Sequence, residues 1–186
     1  MVTCRVICAL LGLTVLRVSL AVEIPPPAYL TAARAGGIPA SVLFAIAQQE
    51  SGLRLRGRLL PWPWTLNVAG QPRLFRTQHA ACKGLLQAVA LHGAKRIDVG
   101  LGQTNLGYQG HHYDKPCDAL NPVKNLQVTA QLLREHFQAT ENWVAAAGRY
   151  HRPAGGVSAR VYRERFARRW AVSNEPPVQT GGDHWP

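Results

Sequence analysis

Acidic residues are scarce in this chain of 186 amino acids, which contains 10 Asp and Glu against 21 Lys and Arg. The formal net charge is therefore +11, and a protein this basic favours polyanionic partners. The scarcity also restricts the chemistry, because a site built from two carboxylates has few members to draw on. Beyond Glu50, discussed below, the candidates are Asp98, Asp114, Asp118, Glu135, Glu141 and Glu164. The sequence also lacks a phosphate-binding loop, a nucleophile triad and internal repeats.

A long apolar run is also missing. The run from Val6 to Val18 is interrupted by Thr14 and Arg17, and it is too short for a comfortable membrane span. Small residues at Ser19 and Ala21 follow it, which predicts a signal peptide over residues 1–21 with cleavage after Ala21. A retained N-terminal anchor is the alternative. Without the leader the chain keeps a charge of +9, and export to the periplasm favours an anionic envelope polymer or membrane surface over nucleic acid.

Cysteines are few after the leader, where only Cys82 and Cys117 remain. An exported chain with two cysteines favours one disulfide, although two buried unpaired thiols are the alternative. The only cluster of metal-ligand residue types is His111, His112, Asp114 and Cys117, and its spacing matches no zinc pattern. We interpret this segment as a loop and predict no metal or other cofactor.

Apolar periodicity predicts a mainly α-helical α+β domain over residues 22–172, followed by a flexible tail over 173–186. Thr77 and Gly93 are expected to begin and end the third helix, and Asn121-Pro122 is a strong start for the fourth. Ser158 is expected to cap the last helix. The predicted helices span residues 28–35, 39–51, 78–92, 122–138, 141–151 and 158–170. The last carries a dense basic stretch, most simply the solvated face of an amphipathic helix.

Three prolines between residues 58 and 75 argue against a helix there. Trp64 to Val68, a turn at Gly70, and Arg73 to Phe75 predict a small β-hairpin. Trp62 and Trp64 either pack against a neighbouring helix or stack on a sugar ring, and the sequence leaves both interpretations open.

Glu50 stands out because of its place in a helical pattern. Leu43, Ile46, Ala47 and Glu50 share one helix face, so an acid lies at the end of an apolar stripe. A carboxyl group partly removed from water has a raised pKa, which suits a general acid near neutral pH. A solvated Glu in the last turn is the alternative. Ser51-Gly52 is expected to end the helix, with Gly52 in the left-handed conformation.

Four ordered motifs resemble those of the SLT-type lytic transglycosylases. They are Gln49-Glu50-Ser51-Gly52-Leu53, Gly100-Leu101-Gly102-Gln103, Asn121-Pro122 with Asn125, and Ala147-Gly148-Arg149-Tyr150. The segment Pro61-Trp62-Pro63-Trp64-Thr65-Leu66-Asn67 and the run Ile97-Asp98-Val99-Gly100-Leu101 resemble the branch associated with conjugation and type IV secretion, including integrating conjugative elements. The resemblance covers roughly residues 38–166 and implies a lysozyme-like fold with a small hairpin beside the cleft.

Two positions depart from the family pattern. Gly102 stands where the family usually has Met, which predicts looser packing at the cleft. Tyr150-His151-Arg152-Pro153 stands where the family usually has Tyr-Asn-Ala-Gly, so only the tyrosine of that motif is kept.

The resemblance implies a peptidoglycan lyase in which Glu50 is the single catalytic carboxyl. Glu50 would protonate the bond between N-acetylmuramic acid and N-acetylglucosamine and then deprotonate the C6 hydroxyl, giving a 1,6-anhydromuramyl product. Tyr150 would hydrogen-bond Glu50 or the substrate's N-acetyl group, or else be a core tyrosine. Asp98 is interpreted as a cap or turn residue rather than a second catalytic acid. The predicted substrate-binding residues are Ser51, Thr65, Asn67, Gln103, Asn105 and Tyr150.

Two rival functions remain at this point. A hydrolytic muramidase would use water in place of the C6 hydroxyl, and a non-catalytic peptidoglycan-binding assembly factor would bind glycan strands without cleaving them. Expected partners are glycan strands and components of a conjugation or secretion apparatus, with no nucleic acid and no membrane span in the mature chain.

Overall fold

A computed structural model describes residues 23–174 as a mainly α-helical α+β fold, which confirms the predicted class. Seven α-helices and six short strands lie in this range. The predicted signal peptide and the predicted tail beyond residue 174 lie outside the described residues. Within the described range no single helix is long and apolar enough to cross a membrane. The first two helices pass that test only as a pair, bent by 114°.

The predicted helices are all present; the third has the predicted bounds, and the others differ at one or both ends. Thr77 accepts a hydrogen bond from the Ala80 amide at 3.2 Å, and Asn121 accepts two from Val123 and Lys124, so both predicted N-caps are confirmed. The helices are α1 Pro27–Gly36, α2 Ala40–Ser51, α3 Gln78–His92, α4 Leu106–Gln109, α5 Pro122–Thr140, α6 Trp143–His151 and α7 Gly156–Asn174. The short α4 was not predicted.

The start of α7 corrects one expectation. The helix begins at Gly156, so Ser158 lies inside it rather than capping it. Its hydroxyl instead pairs with Nε2 of His151 at 3.1 Å, across the loop between α6 and α7. At its other end α7 continues through Ser173 and Asn174, the first two residues of the predicted tail.

The end of α2 corrects the expected backbone conformation of Gly52. Gly52 follows the helix as expected, but its φ is −65°, in the extended region rather than the left-handed one. A Cβ at this position would collide with the carbonyl oxygen of Gln48 and lie 2.9 Å from Leu59. Glycine is therefore required because the chain turns back closely on α2, and this close turn fixes Glu50 near the end of the helix.

The strands form two antiparallel sheets. β1 Gly52–Leu55 pairs with β2 Arg58–Pro61, a hairpin that the sequence did not predict. The second sheet has the order β4-β3-β5-β6, formed by β4 Gln71–Leu74, β3 Thr65–Val68, β5 Ile97–Val99 and β6 Thr104–Asn105. The predicted hairpin is confirmed as β3 and β4, which are joined through Ala69 and Gly70.

Two clusters of buried side chains make up the core. One is helical and centres on α2, with Leu43 and Ile46 fully buried against residues of α1, α5, α6 and α7. The other packs the second sheet against α3 and α5. Tyr150 contacts both clusters, so it lies at the seam between the helical part and the sheet.

Cys82 and Cys117 form a disulfide, with their Cα atoms 5.2 Å apart, as the sequence analysis favoured. The bond joins α3 to a 3₁₀ turn over Pro116–Leu120. It therefore ties together two segments that border the sheet-side core.

Candidate active site

A hollow of about 690 Å³ opens between the helical part and the second sheet, and it gathers most of the residues expected to act in the site. Both helices and strands contribute to its wall. The lining residues are Glu50, Asn67, Asp98, Gln103, Thr104, Asn105, Tyr108, Gln109, Leu132, Glu135, His136, Tyr150, His151 and Pro153. Amides, hydroxyls and carboxyls predominate, which suits a polar ligand with many hydrogen-bonding groups.

Glu50 reaches this hollow from the last turn of α2, while the residues from Val42 to Gln48 in the same helix are buried. Burial raises the pKa of its carboxyl to about 7; a hydrogen bond from Tyr162 opposes this rise and the nearby charge of Asp98 adds to it. The expectation of a partly buried acid, rather than a solvated one, agrees with this geometry. A carboxyl group with this pKa can both donate and accept a proton near neutral pH.

Tyr162 of α7 is the direct partner of Glu50, and sequence reasoning missed it. Its hydroxyl donates a hydrogen bond to Glu50 Oε1, although 112 residues separate the two in the chain. The side chain is buried, and burial together with the neighbouring Glu50 raises the pKa of Tyr162, so the phenol remains a donor. The only signal in the sequence was its place on the apolar face of the last helix, which equally well describes a core residue.

Tyr150 lines the hollow as expected, but its hydroxyl donates to the carbonyl oxygen of Gly102 at 2.6 Å. In this structure it therefore holds the Gly100–Gly102 segment, and Tyr162 occupies the position beside Glu50 that was expected of Tyr150. Burial raises the pKa of Tyr150 strongly, with the charge of Glu50 contributing next.

Asp98 is not the cap or turn residue that was expected. It lies on β5, directly opposite Asn67 on β3 and Asn105 on β6, so the three side chains form one row across the sheet. The Asn67 amide donates to Oδ2 at 3.2 Å and the Asn105 amide to Oδ1 at 2.9 Å. Burial raises the pKa of Asp98, and these two amide bonds, together with the charge of His151 when its ring is protonated, oppose the rise. The structure therefore places a second, oriented carboxyl in the same hollow as Glu50.

Asn67 and Asn105 accordingly line the hollow, as expected, and each donates one amide hydrogen bond to Asp98. The Asn105 amide also donates to the Lys95 carbonyl oxygen at 3.0 Å. Asn105 also caps α4, its side-chain oxygen accepting from the Gly107 and Tyr108 amides. The side-chain oxygen of Asn67 is buried without a hydrogen-bond partner.

The Gly100–Gly102 segment is held against α5 by Asn125. The Asn125 side chain accepts from the Gly102 amide at 2.8 Å and donates to the Val99 and Ala119 carbonyl oxygens, each at 3.0 Å. A Cβ at Gly102 would collide with Oγ1 of Thr129. The expectation of looser packing here is therefore wrong, because Thr129 fills the space that a larger residue would need.

Gln103 follows this segment with a positive φ of 47° and lines the hollow. Its amide donates to the carbonyl oxygens of Gly100 and Thr65, at 2.9 and 3.2 Å, which anchors the side chain at the wall. The side-chain carbonyl of an amide anchored in this way can still accept from a ligand.

Ser51 and Thr65 do not reach the hollow, although both were expected to bind substrate. The Ser51 hydroxyl is buried and bonded to the carbonyl oxygens of Ala47 and Leu101, at 3.0 and 2.8 Å. Thr65 is also buried, and its hydroxyl donates to the Trp62 carbonyl at 2.9 Å. Both side chains connect the elements around the site rather than face a ligand.

The two tryptophans of the Pro-Trp-Pro-Trp segment favour the packing interpretation. Their rings meet edge to face at 5.8 Å, and neither lines the hollow. The Trp62 indole donates to the Phe75 carbonyl at 2.8 Å, and Trp64 packs against the sheet-side core. The segment therefore supports the hairpin that carries Asn67.

The segment around His111 and His112 is mostly a 3₁₀ turn, and Asp114 pairs with Lys124 at 2.6 Å. Among residues 23–174 no group of three or more His, Cys, Asp or Glu side chains is placed to hold a metal ion.

A carboxyl with a pKa near 7, a phenol that donates to it, and a wall that carries amides form a site that can exchange a proton with a polar ligand near neutral pH. Comparisons of the chain with protein-family models, curated proteins and solved structures found no match.

Proposed function

We propose that this chain is a peptidoglycan lytic transglycosylase with a lysozyme-like fold, similar to the SLT type. The observation that carries the proposal is the placement of Glu50, whose raised pKa and Tyr162 partner suit a group that first gives and then recovers a proton. The four motifs that resemble the SLT family all contribute to the hollow or to its supports. Glu50, Gln103 and Tyr150 line the hollow, and Asn125 holds the Gly100–Gly102 segment.

In the proposed reaction Glu50 protonates the oxygen of the β-1,4 bond between N-acetylmuramic acid and N-acetylglucosamine. The bond breaks, and the substrate's own N-acetyl group stabilises the positive charge at C1 of N-acetylmuramic acid. Glu50, now a carboxylate, takes the proton of the C6 hydroxyl, whose oxygen attacks that carbon. The product is a 1,6-anhydro ring, no water is consumed, and Glu50 ends the cycle protonated.

Tyr162 acts on the carboxylate form of Glu50 in this cycle. Its hydrogen bond stabilises the carboxylate form of Glu50 that exists after the first proton transfer. Burial acts in the opposite direction and keeps the pKa of Glu50 near 7, so that neither protonation state is strongly disfavoured at neutral pH.

The position of Asp98 specifically favours a second candidate function, a hydrolytic muramidase. Two carboxyl groups in one cleft are the usual equipment of a glycosidase, and Asn67 and Asn105 hold the Asp98 carboxylate in a fixed orientation. A water molecule would then take the place of the C6 hydroxyl.

Mass spectrometry of muropeptides released from purified peptidoglycan distinguishes the two functions. The anhydro product of the lyase is one water lighter than the product of the hydrolase. If wild-type digests contain abundant hydrolysed products and no anhydro products, the protein is a hydrolytic muramidase and the transglycosylase proposal is wrong. Binding without any release of fragments would leave the assembly-factor function.

The biological setting follows from the resemblance to the conjugation and type IV secretion branch. We propose that the enzyme acts in the periplasm and opens peptidoglycan for such an apparatus. Deleting the gene is expected to reduce DNA transfer or secretion while growth and cell shape stay nearly normal. A separation or lysis defect with unchanged transfer would instead indicate general wall turnover.

A further inference from the structure

His151 stands at the mouth of the hollow, where the resembled family usually has Asn, and none of the chemistry proposed above uses it. Its ring lies flat on the ring of Tyr162, with centroids 4.4 Å apart and an interplanar angle of 8°. On its edge, Nε2 pairs with the Ser158 hydroxyl at 3.1 Å. His151 ends α6 and Ser158 lies in the first turns of α7, so the imidazole is fixed from both helices.

We propose that His151 is a positioning residue for Glu50, which acts by holding the Tyr162 phenol against the Glu50 carboxyl. Three successive contacts connect Ser158 to Glu50. The Ser158 hydroxyl hydrogen-bonds the His151 imidazole, the imidazole stacks on one face of the Tyr162 phenol, and the phenol donates to Glu50 Oε1. His151 is exposed and Tyr162 is buried, so the stacked imidazole lies at the surface over the buried phenol.

A neutral imidazole suits this role better than a charged one. Burial lowers the pKa of His151 below its usual value, the charge of Arg152 lowers it further, and only Asp98 raises it. The ring is therefore neutral at the pH where Glu50 exchanges its proton. A stacked neutral ring can restrain Tyr162 without adding a positive charge that would favour the Glu50 carboxylate.

A test must separate the effect of His151 on the Glu50 pKa from the effects of the other groups that face Glu50 and His151. Glu50 faces Tyr162 from α7, Asp98 from β5 and Tyr150 from α6. His151 faces Arg152 and Asp98. Because Asp98 acts on both, a variant at residue 151 must be compared with one that preserves a flat, uncharged ring.

The test measures the pKa of Glu50 from the ¹³C shift of its side-chain carboxyl, assigned by its absence in Glu50→Gln. The hydrogen bond from Tyr162 lowers this pKa, so Tyr162→Phe raises it. His151→Ala is expected to raise it in the same direction by releasing the phenol. His151→Phe keeps a stacking ring and is expected to keep the wild-type value.

The double variant His151→Ala/Tyr162→Phe isolates the route. If His151 acts through Tyr162, the Glu50 pKa in the double variant equals that in Tyr162→Phe alone. An unchanged pKa in His151→Ala, a value in His151→Phe that matches His151→Ala, or additive shifts in the double variant would each overturn the proposal. If His151→Ala does not fold, His151→Phe still decides, because loss of the wild-type pKa in that variant contradicts positioning by the ring.

This inference rests on the proposed function only where it assigns Glu50 a proton-transfer role. The titration needs no substrate, so it succeeds or fails independently of whether wild-type protein cleaves peptidoglycan. If cleavage is observed, His151→Ala is expected to lower kcat by about tenfold with little change in KM, because the positioned group acts on the reacting proton rather than on ligand binding.

Discussion

Glu50 on α2 and Tyr162 on α7 are joined by a hydrogen bond across 112 residues of sequence, and Glu50 is the member of the pair that lines the hollow. The contact depends on how α2 and α7 pack, since Trp170 bonds to Ser41 at 3.0 Å near the other end of the same helix pair. Placement of the acid is therefore a property of the helical core as a whole.

Glu50→Gln is expected to retain the fold and lose at least about a thousandfold in peptidoglycan cleavage, because an amide can neither give nor recover the proton. Zymography and muropeptide release measure the loss, and circular dichroism checks the fold. The matched control is Glu135→Gln, which removes the carboxyl of another residue lining the hollow. Near-normal turnover by Glu50→Gln would refute the assignment.

The pH dependence follows from the pKa of Glu50, which is about 7. Glu50 must be protonated to begin the reaction, so kcat/KM is expected to fall as pH rises above about 7. Asp98→Asn removes a charge that raises this pKa, and it should shift the fall to lower pH.

The same variant tests the role of Asp98 itself. For a transglycosylase, Asp98→Asn is expected to cost less than about tenfold at its own optimum, as expected of a residue that tunes an acid rather than reacts. A loss as complete as that of Glu50→Gln, together with hydrolysed products in the wild-type digest, would establish the two-carboxylate hydrolase.

The sequence predicted the elements better than the contacts between them. Helix periodicity and caps such as Thr77 and Asn121 depend on neighbours within a few residues, and these predictions were confirmed. Tyr162 was assigned only to a helix face, because its partner lies on a distant helix. Gly52 ends its helix for a reason that only the return of Leu59 reveals.

The candidate site shows the same division. The position of Glu50 follows from a local apolar stripe, which is why it could be identified. The row of Asn67, Asp98 and Asn105 depends on the register of three strands, and a pattern of single residues does not specify that register. Ser51 and Thr65 belong to the motifs, but their hydroxyls bond to backbone carbonyl oxygens inside the protein. Motif spacing alone does not distinguish a side chain that faces the hollow from one that faces the core.

Gly102 provides a test of packing beside the site. Gly102→Ala is expected to destabilise the protein by about 1–3 kcal/mol, because the new methyl group collides with Thr129. Adding Thr129→Ala should recover part of this loss relative to the sum of the two single variants. Gly110→Ala is the control, since a Cβ there meets nothing within 4 Å. Chemical denaturation measures all four variants, and strictly additive losses would contradict the close contact.

The disulfide between Cys82 and Cys117 is expected in protein isolated from the periplasm, where non-reducing peptide mapping detects it directly. Replacing both cysteines by serine should lower the free energy of unfolding by about 2–4 kcal/mol. Tyr162, the hydrogen-bond partner of Glu50, lies in the other core cluster, so kcat should remain nearly unchanged at temperatures where the variant is folded. Free thiols at both positions in the isolated protein would refute the prediction.

Arginines on the exposed side of α7 predict where the protein binds an anionic wall polymer under the proposed function. Arg165, Arg168 and Arg169 line a shallow hollow of about 300 Å³, and Arg54 of the β1–β2 hairpin lies near enough to lower the pKa of Arg169. Arg165 and Arg168 make no ion pair among residues 23–174. Their charges therefore remain available to carboxylates or phosphates of the envelope.

Arg165→Glu/Arg168→Glu is accordingly expected to weaken sedimentation with intact peptidoglycan sacculi at low salt. The difference from wild type should disappear at about 1 M salt, where the Debye length is about 3 Å. Arg73→Glu/Arg76→Glu changes the net charge equally on exposed residues at the end of β4, and it should bind more like wild type. A local site on α7 requires Arg165→Glu/Arg168→Glu to weaken binding to sacculi more than Arg73→Glu/Arg76→Glu does. Equal weakening by the two double variants would instead assign the binding to net charge.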